Sequence, residues 1–243
     1  MKRIVFPFLG VIMLVFSGCM KKGDNIECYQ DVPIPAIVDF DFSSFQPLLI
    51  TPFSRDFIAP ELADKIFTEI NEGDALIVYF CIDYNQQPYA DYYMVYNLQY
   101  VILEKSWPYA TAGGESTTDD FNYPVEGLDI IGLERDVMFF AFYHKAHQEQ
   151  KFTYEMTYDR ANTAEIPILY IRAKKSGENL SGNINVGYPY AFNMYSFFNE
   201  FKDSENWIRF EIHYKTGVDD DGNDIYERYS HPSMGFTMNF KVE

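Results

Sequence analysis

The feature that most constrains this fold is a two-residue period in the apolar side chains of the second half. In "QKFTYEMTYDR" Phe152, Tyr154, Met156 and Tyr158 alternate with Thr153, Glu155 and Thr157. In the closing "GFTMNFKVE" Phe236, Met238, Phe240 and Val242 alternate with Thr237, Asn239, Lys241 and Glu243. Successive strand side chains point to opposite faces, so this period predicts strands with one face buried. "GLDIIGL", "RDVMFFAFYHK", "IPILYIRAKK" and "NWIRFEIHYK" add further short strands. Such a series, with no helical stretches between, predicts an antiparallel β-sandwich. "AFNMYSFF" is open between helix and strand.

The first half has different rhythms. "DALIVYFCIDY" is apolar on both parities, as a strand covered on both faces would be. "QQPY" supplies a turn, and "ADYYMVYNLQYVILEK" supplies the second arm of a hairpin. Before them, Leu62, Ile66 and Ile70 recur at i, i+4 and i+8, with Pro60 ahead and Gly73 behind. That stripe predicts a short helix; the competing reading is an extended segment ending in the turn "NEGD". Residues 105–124 gather Gly, Ser, Thr, Asp and Pro, and mark either a domain boundary or a long functional loop.

The N-terminus reads as an address. Lys2 and Arg3 precede an apolar run from Ile4 to Phe16, too short for the roughly 20 residues of a bilayer-spanning helix. Basic, apolar and small-residue zones in that order make a secretory signal over residues 1–18. Its end, Phe16-Ser17-Gly18-Cys19, resembles the bacterial lipobox, which implies a diacylglyceryl group on the Cys19 sulfur. Two or more acyl chains hold a protein on a membrane stably, where one holds it marginally. Residues 19–35 then read as a lipidated tether ending at Pro33 and Pro35. Cys28 and Cys81 remain; export permits them to pair, while Cys81 in its apolar strand also reads as a small buried hydrophobe.

Charge narrows the partners. The chain has 19 basic and 36 acidic residues; losing Lys2 and Arg3 with the signal leaves 17 against 36, a net −19. Phosphate backbones require Lys and Arg for neutralisation, so nucleic acid is excluded as a partner. The expected partners are the membrane, through the lipid anchor, and an envelope protein or glycan.

No residue pattern makes a convincing active site, and no cofactor motif is present. In "VDDDGND" Asp219 and Asp221 are weak metal candidates. A calcium loop aligned on Gly222 would start at Gly217 and end at Arg228, where oxygen ligands are needed, so a hairpin turn is the better reading. His144 and His147, three apart, fall on opposite faces of a strand and lack the helical zinc signature. His213 reads as a sheet-face residue; His231 is the fourth histidine. Asp119, Asp120 and the Asp219–Asp221 run supply loop carboxylates for an alternative reading as a hydrolase. Trp107 and Tyr109, in a loop, are candidates for stacking on a glycan.

"NEGDALIVYFCIDY", "ADYYMVYNLQYVILEK", "YPVEGLDIIGLERDVMFFAFYHK", "HQEQKFTYEMTYD" and "IPILYIRAKKSGENL" together resemble the NigD-like lipoproteins of Bacteroidota. The matching motifs are the strand Gly73–Phe80, Asp91–Val95 with Ile102–Lys105, and Asp129–Leu133. The resemblance covers roughly residues 70–180. It implies a lipid anchor, an OB-like N-terminal barrel (36–115) and a C-terminal β-sandwich (116–243). It brings no activity and no catalytic residues; the family name carries a link to bacteriocin production. "MKKGD" lacks the acidic run that marks surface export in some relatives, and Met20 resembles outer-membrane sorting. The expectation is thus a mainly β, non-enzymatic binding or accessory module on the outer membrane, facing the periplasm or the cell surface.

Overall fold

The computed structural model describes residues 25–42, 45–52, 56–85, 87, 92–161 and 166–242. The predicted signal, the lipobox-like stretch and Cys19 lie outside these residues. Among the described residues no helix is long and apolar enough to cross a membrane.

The first six strands are β1 (Ile26–Cys28), β2 (Ile34–Asp41), β3 (Gln46–Ile50), β4 (Phe57–Ile58), β5 (Ala75–Asp83) and β6 (Tyr93–Ile102). β2, β3, β4, β6 and β5 close into a five-stranded barrel, because β5 pairs with both β2 and β6. All its pairings are antiparallel except β4–β6. This is the OB-like barrel. β1 lies on β5 beyond β2, within the stretch read as a tether, and its register sets Cys28 directly opposite Cys81. The two form a disulfide.

The predicted helical stripe is buried without being an α-helix. Pro60–Leu62 make one 3-10 turn. Phe67 adopts a left-handed φ of 64°, which ends any helix there, and Ile66 bridges to Ile70. Leu62, Ile66 and Ile70 nonetheless enter the barrel core with Val38, Leu49, Phe57, Leu76, Val78 and Phe80.

Two further sheets follow. The first orders β7 (Lys105–Ser106), β13 (Ile184–Asn193), β10 (Val137–Ala146) and β9 (Gly127–Glu134). The second orders β15 (Asp224–Arg228), β14 (Trp207–Val218), β12 (Ile168–Ser176), β11 (Lys151–Asp159) and β8 (Pro108–Thr111), with β16 (Thr237–Lys241) also on β14. Neighbouring strands are mostly antiparallel; β8–β11, β12–β14 and β7–β13 are parallel. The helix α1 (Tyr195–Phe201) grows from the end of β13, so the ambiguous "AFNMYSFF" is strand and then helix.

The sheets enclose an aromatic core. Phe140 and Phe142 of β10 meet Tyr154, Met156 and Tyr158 of β11, Ile171 of β12, Phe192 of β13 and Phe210 of β14. Phe197 of α1 fills one end, edge-on to Phe210 and Tyr158. The predicted alternation of β16 places Met238 and Val242 in the core with Phe240 half-buried, while Phe236 stays exposed.

The apolar runs on both parities have a structural cause. Val137 and Phe139, on the opposite face of β10, pack against the outside of the barrel at Ile37, Leu48, Ile50, Ile58, Ala75 and Ile77. β5 is thus covered by the barrel interior on one face and the sandwich on the other. The approach is close: a Cβ on Gly132 would stand 2.9 Å from Pro35 and 3.2 Å from Pro52. An Arg135–Asp39 ion pair closes the rim. An apolar interface of this kind holds barrel and sandwich as one block.

Candidate functional site

The docked sandwich covers the outward side chains of β3, Leu48 and Ile50. The β3–β4 region corresponds to the strand face with which OB folds bind oligonucleotides and oligosaccharides. The six-stranded sheet turns one face to the aromatic core and its outer face away from it.

Cross-strand register defines this face. Tyr109 stands opposite Thr157, Thr157 opposite Tyr170, Tyr170 opposite His213, and His213 opposite Arg228. Paired residues share a face, so one row runs across five strands. Next to it lie Glu155 and Arg172, opposite each other, and Lys215 opposite Tyr226. Along β14, Trp207, Arg209, Glu211 and His213 continue the same face, opposite Lys241, Asn239 and Thr237 of β16.

The middle of the face is sealed by residues 112–118. Gly113 and Gly114 take left-handed φ values of 64° and 72°, turning the chain back over Tyr170. A Cβ on Gly114 would stand 2.5 Å from the Tyr170 ring, so only glycine permits the approach. The loop is fastened by buried charges. Glu155 accepts from Ser116 Oγ at 2.6 Å, from the Thr117 N–H at 2.9 Å and from Thr117 Oγ1. Arg172 donates to the Gly114 carbonyl and to Thr157 Oγ1, each at 2.7 Å, and lies 3.7 Å from Glu155. Lys215 pairs with Asp224 at 2.5 Å, and Asp224 also approaches Arg172 Nε at 3.6 Å. Arg172 sits over the rings of Tyr170 and Tyr226. With acids and bases matched, this network locks the loop. The stretch 105–124 therefore supplies two strands and a cover for the sheet.

On either side of the cover the face is open. Trp107 (52% exposed) and Tyr109 (45%) stand at the β8 edge, as stacking candidates must. At the other end Trp207, Met234 and Phe236 are exposed. Glu211 bridges His213 Nε2 at 3.1 Å and the Arg228 guanidinium, which lies over Phe236. A concavity of about 460 Å³ opens here, lined by Arg209, Met234, Thr237 and Asn239. A second, of about 510 Å³, is lined by Asp120, Asn122, Tyr123, Lys174, Lys175 and Ser176. Its lysines lie over the rings of Phe121 and Tyr123.

The remaining sequence candidates fall in separate places. His144 is buried: Nδ1 lies 2.9 Å from the Pro124 carbonyl, Nε2 2.8 Å from the Tyr154 hydroxyl, and the ring stacks on Phe152. Burial lowers its pKa to about 4. The His147 Nδ1 accepts the Glu149 N–H, and the His231 Nδ1 accepts the Ser233 N–H. Asp219 accepts from the N–H groups of Asp221 and Asn223 and from the Asn223 side chain, inside the β14–β15 hairpin. These bonds hold its carboxyl below the usual range. Neither concavity gathers a pair of carboxylates. Among the described residues no group of three or more His, Cys, Asp or Glu could hold a metal ion.

Sequence reasoning missed the Glu155–Arg172 network, Trp207 and Arg209. Glu155 and Thr157 occupy the polar parity of β11, which reads as solvent-facing; the Gly-Gly pair was the available sign that backbone lies over that face.

Several solved structures are similar, among them the following three. An uncharacterized protein of Parabacteroides merdae superposes with a TM-score of 0.67 at 17% identity, over 88% of this chain and 100% of that one. A candidate lipoprotein of Bacteroides fragilis gives 0.54 at 12%, over 80% and 94%. A NigD-like immunity protein of Bacteroides caccae stands among the neighbours at 0.47 and 16%, over 88% and 95%, too distant for an argument to rest on it. None of the three is named for an enzymatic activity. No family model and no curated protein matches the chain. At these identities the likeness is one of fold.

Proposed function

We propose that this chain is a lipid-anchored protein of the bacterial cell envelope that works by binding, with the outer face of its six-stranded sheet as the contact surface. The observation that carries the reading is the exposure of Trp107, Tyr109, Trp207, Met234 and Phe236 on or beside that face, while most charges there are paired with each other. Exposed aromatics grouped around satisfied polar residues mark interaction surfaces. The partner is an envelope protein or glycan. The acidic balance of the chain and the burial of the OB strand face under the sandwich both argue against nucleic acid.

Anchoring at Cys19 fits the start of the fold. Five residues separate Cys19 from Asn25, a contour of no more than about 20 Å, before β1 and its disulfide join the barrel. A disulfide suits an oxidising compartment outside the cytoplasm. Sorting to the outer membrane follows from the Met20 reading and rests on sequence alone.

The test is quantitative binding of the detergent-solubilised full chain to purified envelope material. Trp207→Ala and Phe236→Ala should each weaken retention, and Cys19→Ala should release the chain into the soluble fraction of the native host. Unchanged retention in both face variants would remove this surface from the account; membrane retention of the Cys19 variant would remove the anchor.

A further inference from the structure

Five arginines fall among the described residues, in a chain with 36 acidic side chains. Four have carboxylate partners: Arg135 with Asp39, Arg160 with Glu200, Arg172 with Glu155 and Asp224, and Arg228 with Glu211. The Arg209 guanidinium has no hydrogen bond or ion pair among the described residues, although Glu211 is two positions along the same strand face. Glu211 is turned instead to His213 and Arg228. Arg209 lines the 460 Å³ concavity with Asn239, its cross-strand partner, and with Thr237 and Met234. Trp207, on the next rung of the same face, is 38% exposed.

These groups divide the work of recognising one kind of molecule. A guanidinium offers a planar fork of donors matched to a carboxylate. The Asn239 amide and the Thr237 hydroxyl donate and accept, as ring hydroxyls require. Trp207 and Met234 offer apolar surface to the C–H face of a ring. The concavity lies within the roughly 300–1,000 Å³ of small-molecule sites. Elsewhere the acidic chain repels anions, so an unpaired guanidinium in a concavity selects for one. We infer that the Arg209 concavity binds a carboxylated sugar, a uronic acid residue of a glycan, with the guanidinium on the carboxylate and Asn239 and Thr237 on the hydroxyls. This rests on the reading of the outer face as a binding surface and adds the ligand class.

The test is calorimetric titration of the detergent-solubilised full chain with trigalacturonic acid and with its methyl ester, which keeps the hydroxyls and loses the charge. The acid should bind, and the ester should bind roughly tenfold or more weakly, as for the loss of a charge-assisted hydrogen-bond pair. Arg209→Ala should remove the preference for the acid, and Arg209→Lys should restore only part of it. Trp207→Ala should weaken acid and ester alike. Arg209 and Trp207 are exposed, and a melting curve checks that each variant folds. Equal binding of acid and ester, both lost in Trp207→Ala, would overturn the carboxylate assignment and leave the binding face standing. Binding of neither, or an unchanged acid preference in Arg209→Ala, would also overturn it.

Discussion

Mild acid should destabilise this protein in part through the buried His144. Its Nδ1 faces the Pro124 carbonyl, which can only accept, so Nδ1 carries the hydrogen and Nε2 accepts from the Tyr154 hydroxyl. The neutral ring satisfies both contacts. A second proton would put a charge into an apolar site, against Phe152 and opposite a hydroxyl already donating. Burial therefore lowers the pKa from the ordinary 6.5 to about 4. Above pH 6.5 the ring is neutral in both folded and unfolded chains, and stability owes nothing to its titration. Between 6.5 and 4 the unfolded chain takes a proton that the folded one refuses. Stability then falls by about 1.4 kcal/mol per pH unit, to a total loss of about 3 kcal/mol. Urea unfolding at a series of pH values measures this. Carboxylates also titrate in the window, so His144→Gln is the control, since its amide can donate to Pro124 and accept from Tyr154 without titrating. The stability difference between the two proteins should be constant above pH 6.5 and shift by about 3 kcal/mol toward the variant by pH 4. A flat difference, or an NMR titration of His144 near its ordinary value, would refute the reasoning.

Other perturbations follow from the same structure. The Cys28–Cys81 disulfide spans a sequence separation of 53, so loop-closure entropy gives it about 4 kcal/mol, and the Cys28→Ser/Cys81→Ala protein should show that loss in urea unfolding. Gly114→Ala should cost about 1–3 kcal/mol from its clash with Tyr170, whereas Gly113→Ala, whose Cβ would meet only Glu115 Cγ at 3.9 Å, should cost about 1 kcal/mol; paired thermal melts distinguish them. Glu155→Ala leaves buried Arg172 with Asp224 as its one carboxylate neighbour among the described residues and takes away the acceptor of Ser116 and Thr117, at about 3–5 kcal/mol, and should open residues 112–118 to limited proteolysis. Phe139→Ala should cost about 3–5 kcal/mol and, because Phe139 joins barrel to sandwich, should separate their unfolding transitions in calorimetry.

What could be read in the sequence was the facing of the strands. Phe152, Tyr154, Met156 and Tyr158 point into the core as their period requires, and the two-parity run around Leu76 lies between two packed layers. The stripe of Leu62, Ile66 and Ile70 identified buried residues but not their conformation: a spacing of four suits an α-helix, and a 3-10 turn, a left-handed Phe67 and a bridge reach the same core. Pairing of Cys28 with Cys81 depends on a three-residue strand finding its register on β5, a non-local fact that no local pattern carries. The face of Arg209 is legible from its parity on β14. Its lack of a partner is not, because that depends on where Glu211 turns.

The central claim, that this protein binds its partner through the outer face of the six-stranded sheet, is tested most directly by hydroxyl-radical footprinting of the full chain with and without purified envelope material. The account predicts protection of Trp207, Met234 and Phe236, with no change at Phe42, Phe45 and Phe67, which are exposed on the barrel. Protection of those barrel phenylalanines with the sheet face left unchanged would contradict it.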